Sequence, residues 1–231
     1  MYNNSTILNI LNLAIKKISK LLLRDYTEIV NLQSSIKGPS NFAEKAYERT
    51  KDDLGEQLLK LKRDATIILD VKNQAQEQIL HKGTGSYRFT ITPIDGYMNF
   101  MRAKPYFAVV ISAERSVIEQ EEASFETEAC VIYAPGIGES FFALRNVGAF
   151  VEKLNTSSSG AVSRLRLSSF VSLKGATLAT NNLVEHMQND YKLLSKVLDA
   201  GSYVDYYESD ALAIAMLASA RIDGYFMLPT A

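Results

Sequence analysis

Cysteine is nearly missing from this chain. Cys130 is the single one among 231 residues, so no intrachain disulfide can form, and its place inside the apolar run EACVIYA predicts a buried thiol in a reducing compartment. Histidine is almost as scarce: His81 and His186 lie far apart, and neither has a Cys or carboxylate pattern at zinc-ligand spacing, which argues against a zinc centre. No sign of charge dominates, since 25 Lys and Arg stand against 26 Asp and Glu. A protein that holds a phosphate backbone concentrates Lys and Arg, so the balance gives no nucleic-acid signal. No apolar run approaches the roughly 20 residues that span a bilayer. The amino end has neither a leading basic segment nor a small-residue cleavage site, and the expectation is a cytoplasmic protein without a membrane span.

What is present is periodicity, and it changes along the chain. Ile7, Leu8, Leu11, Ala14, Ile15, Ile18, Leu21 and Leu22 recur at helical spacing, which predicts a helix within residues 5 to 35, capped by Ser5 or Thr6, with Lys16, Lys17 and Lys20 sharing its polar face. After the KGPS break a second helix is expected from Phe42 to about Arg63. The β-branched ATIILDV, residues 65 to 71, reads as a strand. So do YRFTI at 87 to 91, YFAVVISA at 106 to 113, FETEACVIYA at 125 to 134, SFFALR at 140 to 145 and the alternating SRLRLSSF at 163 to 170. The acidic run ERSVIEQEEASFETE at 114 to 128 is expected as a solvated loop. Residues 181 to 199 return to a helical pattern, and the stretch from Asp210 to Arg221, apolar almost all round, predicts a helix inside a core. Helices at the front, strands in the middle and helices behind give an α+β class. There is no internal repeat. The expectation is one domain over 1 to 231, with an amino-terminal half to about 150 and a carboxy-terminal half from about 151.

One stretch carries chemistry. In ITPIDGYMNF, residues 91 to 100, Pro93 fixes the backbone after a strand and Gly96 lets the chain fold tightly into a short helix. Asp95-Gly96 alone is a common turn. A helix beginning there would aim N–H groups at a phosphate, beside a carboxylate able to hold Mg²⁺. Other candidates are weaker. Residues 83 to 86 lack the Lys and spacing of a P-loop, Ser157, Ser158 and Ser159 show no nucleophile elbow, and Asp223-Gly224 reads as a turn into a strand.

With Pro93, Ile94, Asp95, Gly96, Asn99 and Phe100 in place, this stretch resembles the D-P-I-D-G-T-x-N-F signature of the inositol monophosphatase family. PYFAVVISAER is similar to the strand that follows it there, ACVIYAPGIGESFFALRNVGAF to the family's hairpin, and SDALAIAMLASARIDGYF to its late helix and strand. The resemblance covers most of residues 40 to 226. It implies a layered αβαβα sandwich, a homodimer, and an ancestral Mg²⁺-dependent phosphomonoesterase with two or three metals.

The departures from that pattern fall on the chemistry. Thr92 stands where the motif's first Asp bridges metals, and Tyr97 where a Thr positions the attacking water. The family's upstream G-E-E falls on LDVKN, with Val71 at the Glu position and Asp70 next to it. Its V-T-x-A-D falls on SNFAE, which leaves Glu44. The family's W-D-x-A-A-G follows G-Y-F, where this sequence reads MLPTA, and the expectation is a member without that ligand. Two divalent cations about 4 Å apart repel by roughly 16 kcal/mol at an effective dielectric near 20, which only surrounding carboxylates can offset. Asp95 and the Ile94 carbonyl are the expected metal ligands, Gly96 and Tyr97 the expected phosphate contacts, and no catalytic set is intact, with Thr92 and Tyr97 at degenerate positions. Mg²⁺ binding is expected to be weak or absent.

Three readings follow. The first is a catalytically impaired family member with a binding or regulatory role. The second is an active Mg²⁺-dependent phosphatase on inositol monophosphate or a related sugar or nucleotide phosphate, using Asp70, Glu44 or Asp210 as substitutes. The third is a partner of transcription or ribosome assembly, similar to the bacterial SuhB branch of the family.

Overall fold

A computed structural model describes residues 5 to 34, 38 to 70, 78 to 119, 122 to 154, 161 to 181 and 190 to 227. The first helix, α1, spans Thr6–Asn31. Ser5 caps it, its hydroxyl accepting the Leu8 N–H at 3.2 Å and so satisfying one of the donors a helix start leaves over. The second, α2, spans Gly38–Leu61 and starts inside the KGPS break rather than at Phe42. Pro39 sits in its first turn, where the missing N–H costs no hydrogen bond.

These helices pack together over an eight-stranded sheet. Its strands are Thr66–Leu69 (β1), Gln78–His81 (β2), Tyr87–Asp95 (β3), Ala108–Glu119 (β4), Glu122–Ala134 (β5), Glu139–Leu144 (β6), Gly148–Lys153 (β7) and Val162–Arg164 (β8). Their order across the sheet is β2-β1-β3-β4-β5-β6-β7-β8. β1 and β3 run parallel and the other neighbours antiparallel. Register explains the core. Ile91, Ile111, Val131, Phe142 and Phe150 are successive cross-strand partners, and all are buried in the cluster that takes in the apolar stripe of α1. Alternation sends the next residue of each strand to the opposite face. There Ala108 and Ala134 meet Leu212, with Ile132 against them.

The short helix Tyr97–Met101 (α3) leaves β3 directly. A three-stranded parallel sheet follows, with Tyr203–Tyr206 (β10), Thr177–Asn181 (β9) and Gly224–Met227 (β11) in that spatial order. The helix Asp190–Asp199 (α4) links β9 to β10, as parallel neighbours require. The helix Asp210–Ala218 (α5) touches β4 and β5 on one side and β9 and β11 on the other, so it lies between the two sheets. Its nearly all-apolar sequence fits that place. The architecture is the layered α+β sandwich expected of the inositol monophosphatase type.

Two expectations are corrected. The charged stretch 114 to 128 is not a loop: it extends the β4–β5 hairpin, in which Arg115 faces Glu126 and Ser116 faces Phe125. Its charges stand on strands, and Arg88 of β3 pairs with Glu114 beside them. The alternation of SRLRLSSF forms a strand only through Arg164; residues 165 to 172 have no regular structure, and Leu167 and Val171 are exposed. Of the helix expected over 181 to 199, Asp190–Asp199 is helical and Asn181 ends a strand, while residues 182 to 189, His186 among them, and Ser157 to Ser159 lie outside the described residues. His81 sits exposed on β2. No described helix is long and apolar enough to cross a membrane.

An aromatic knot joins α1, α3 and the start of β4. Phe107 is fully buried, with ring centroids 4.9 Å from Tyr26 and 5.0 Å from Phe100. Phe107→Ala removes a ring that three elements share, and the expected loss is about 3 to 5 kcal/mol of stability. Urea denaturation should show a lower midpoint with an unchanged slope.

Candidate active site

The site is built where β3 ends. Thr92 faces Val110, but the next ladder pair is Asp95 with Ala108, so β3 carries one residue more than its partner across this step. Pro93 has no N–H to give to the ladder, and a bulge is the usual solution. The chain then turns through Gly96, at φ 78° and ψ 43°. A Cβ there would lie 2.7 Å from the Tyr106 carbonyl oxygen, so only glycine fits this turn.

Asp95 is 3% exposed. Its Oδ2 accepts from the Ser209 hydroxyl at 2.6 Å and from the Ala211 N–H at 2.9 Å. The Ser209 Oγ in turn accepts the Leu212 N–H at 3.2 Å. The carboxylate thus completes the amino-terminal cap of α5 and sits at the positive end of its dipole. Asn99 ties the same two regions together, donating through its side-chain amide to the carbonyls of Tyr106 and Tyr207, both at 2.7 Å. The Asn99 N–H, on the turn expected to receive a phosphate, donates instead to Glu208 Oε2 at 3.0 Å.

Asp70 follows β1, anchored by its own N–H on the Ile91 carbonyl at 2.9 Å. The Thr92 hydroxyl donates to Asp70 Oδ2 at 3.0 Å. α2 packs on β3 beside this pair, of which Asp70 stays exposed. Tyr47 and Tyr97 meet edge to face at 6.2 Å. Burial pushes both phenols up; Glu44 adds to the rise at Tyr97, while Glu48 and Asp70 add to it at Tyr47 and Lys51 opposes it. Both phenols therefore stay protonated.

The expected residues are thus brought together only in part. Asp70, Thr92, Tyr97 and Glu44 are neighbours around Tyr47. Asp95 points away into the cap of α5, and Ile94 packs its side chain in the main core. Asp210 accepts from the Tyr225 hydroxyl at 2.6 Å. Val71 lies outside the described residues. Sequence reasoning missed Tyr47, Asn99, Glu208 and Ser209 as parts of this site. Ser209 had a signal, since a serine before an apolar helical run reads as an N-cap; its contact with Asp95, 114 residues away, had none.

The fit to a Mg²⁺ pair can be tested on this donor set. No group of three or more His, Cys, Asp or Glu among the described residues is arranged to hold a metal ion. The buried carboxylate of Asp95 takes two hydrogen bonds on Oδ2 while its Oδ1 is buried without one, which leaves a single oxygen for a cation, and the position beside Asp70 offers a hydroxyl in place of an acid. Two divalent cations are not offset by such a set. Ser209→Ala should cost about 2 to 3 kcal/mol, because it removes both a donor to a buried carboxylate and a helix cap. The loss, read by chemical denaturation, should be the same with and without Mg²⁺.

The chain is 28% identical over 226 residues to an inositol-1-monophosphatase of Rhizobium meliloti, covering 96% of itself and 76% of that protein. It is 27% identical over 222 residues to the Nus factor SuhB of Haemophilus influenzae, covering 95% and 75%. Among solved structures, the extragenic suppressor protein suhB of Bartonella henselae superposes with a TM-score of 0.72 at 28% identity, over 97% of this chain and 79% of that one. Residues 3–231 match the sequence model of the inositol monophosphatase family, and with the strand, bulge and helix-capping turn described above, the chain belongs to that family.

Proposed function

We propose that this chain is an inositol monophosphatase-like protein whose phosphatase chemistry is impaired and which acts by binding, as a regulatory protein. One observation carries the reading: the motif carboxylate Asp95 is engaged as the cap of α5, while Thr92, in place of its companion acid, donates to Asp70. With no three described His, Cys, Asp or Glu side chains grouped to hold a metal, the water-activating step of a metal phosphatase has little support from these residues. The loss of a positioned base alone removes on the order of 10²- to 10⁴-fold in rate. The remaining cluster, with the protonated phenols of Tyr47 and Tyr97 and with Lys51, suits a small phosphate-containing ligand held without turnover.

The wild type is expected to release phosphate from inositol monophosphate far below about one turnover per second, with or without Mg²⁺. Turnover near that rate would favour the second reading, an active phosphatase using Asp70 and Glu44. Thr92→Asp sharpens the test. It replaces a donor to Asp70 with a second carboxylate about 3 Å away, so the variant should be destabilised without Mg²⁺ and recover in melting temperature when Mg²⁺ is added. Phosphate release should stay low, because Tyr97 still replaces the small hydroxyl that orients water and groups acting as a unit are not restored singly.

A role beside transcription is the third reading, favoured by likeness to proteins named Nus factor SuhB. Pairing into a homodimer supports a binding role. Leu167, Phe170, Val171 and Leu173, with Tyr203 and Tyr206 of β10, expose apolar surface of the kind an interface covers. Sedimentation at micromolar concentration should show a dimer, and a monomer there would remove this part of the proposal.

A further inference from the structure

A cavity lies further along the same face of the large sheet, away from the site at the end of β3. It is a cleft of about 460 Å³ between α1 and the strands β5 to β7. Helical spacing puts Asn12, Ile15, Lys16, Ser19 and Leu23 on its helix wall. The sheet wall comes from register: Tyr133 is the cross-strand partner of Ser140, and Ser140 of Glu152. One ladder step away, on the same face, the partners are Val131, Phe142 and Phe150, which belong to the main core. The row of three polar residues therefore interrupts an apolar face beneath a helix.

Charge decides what such a cleft would take. Lys16 and Glu152 line the same cavity, yet neither forms an ion pair, within 4.0 Å, with the other or with any other described residue. An anion alone would meet Lys16 but be opposed by Glu152, and a cation alone would meet the reverse. Lys16 is exposed and Glu152 half-buried, and a neutral polyol between them would pair neither charge. A molecule carrying both signs a short distance apart satisfies both. The hydroxyls of Ser19, Tyr133 and Ser140 add hydrogen-bonding groups, and Leu23, Pro135 and Leu154 supply apolar wall. Burial holds the Tyr133 phenol up, with the Ser19 hydroxyl beside it pulling the other way, so it remains a donor.

We infer that this cleft is a binding site for a small zwitterion, an α-amino acid with an aliphatic side chain, whose carboxylate pairs with Lys16 and whose ammonium pairs with Glu152. The inference does not depend on the phosphatase reading, since the cleft uses none of the residues at the end of β3.

The test is calorimetry on the whole chain with L-leucine as probe. It is run beside 4-methylpentanoate, which lacks the ammonium, 3-methylbutylamine, which lacks the carboxylate, and myo-inositol. L-Leucine should bind, and each single-charge analogue should bind at least about tenfold more weakly. Lys16→Ala and Glu152→Gln should each weaken L-leucine by a similar factor while leaving the thermal melt unchanged. No binding of L-leucine up to roughly 10 mM, equal binding by the analogues, or undiminished binding by both variants would overturn the inference. Tighter binding of myo-inositol than of L-leucine would also overturn it, in favour of a polyol site. The analogue series tests the unaltered protein, so it decides the matter even if a variant fails to fold.

Discussion

The buried carboxylate of Asp95 is the constraint on which the carboxy-terminal layer depends. A charge at 3% exposure is tolerated only where donors replace water. Here the donors come from the first turn of α5, through the Ser209 hydroxyl and the Ala211 N–H. The arrangement does two things at once. It offsets the cost of burying Asp95 at Oδ2, while Oδ1 stays buried without a hydrogen bond, and it satisfies an N–H that α5 could not pair within itself. Because α5 then lies between the two sheets, the position of the small sheet against the large one follows from this contact. The bidentate pairing of Arg221 with Glu139, at 2.6 and 2.7 Å, closes the same layer from the other end of α5.

That use of Asp95 bears directly on chemistry. A carboxylate is an effective cation ligand when its oxygens are available and a second acid stands beside it. In this chain the neighbouring motif position is Thr92, and its hydroxyl turns to Asp70. The Asn99 N–H, which a phosphate oxygen could have accepted from, is taken by the Glu208 carboxylate. Groups that would meet a substrate and its metals thus meet one another, and the family frame is kept by internal contacts. The proposed shift from turnover to binding follows from the identity of these few side chains within the layered fold of the family.

The helical face of α1 shows the same economy away from that site. The residues Ile7, Leu11, Ala14, Ile18 and Leu22 face the core, and Lys16 stands apart from them as helical spacing requires. On the sheet beneath, the change from Val131, Phe142 and Phe150 to Tyr133, Ser140 and Glu152 comes at the end of the hairpin. An apolar row there would have closed the cleft by packing. A polar row cannot, because its groups keep partners or water.

Periodicity by itself determined the helices α1 and α2, the apolar helix α5 and most strands of the large sheet, because each has a pattern of buried positions that local spacing expresses. The turn at Pro93 to Gly96 was legible for a related reason: only a residue without an N–H and one without a Cβ suit the bulge and the φ of 78°. Local pattern failed where side chains were charged yet strand-bound, as in residues 114 to 128, since pairing with a neighbouring strand and not hydrophobicity holds them. It failed again where alternation in residues 163 to 170 found no partner strand beyond Arg164. Tertiary structure alone decided the rest of the site. The contact of Asp95 with Ser209, of Asn99 with Glu208 and of Tyr47 with Tyr97 joins segments remote in sequence, and nothing in the spacing of either segment specifies its partner. A buried carboxylate must find donors, but which donors it finds is fixed only when the layers pack.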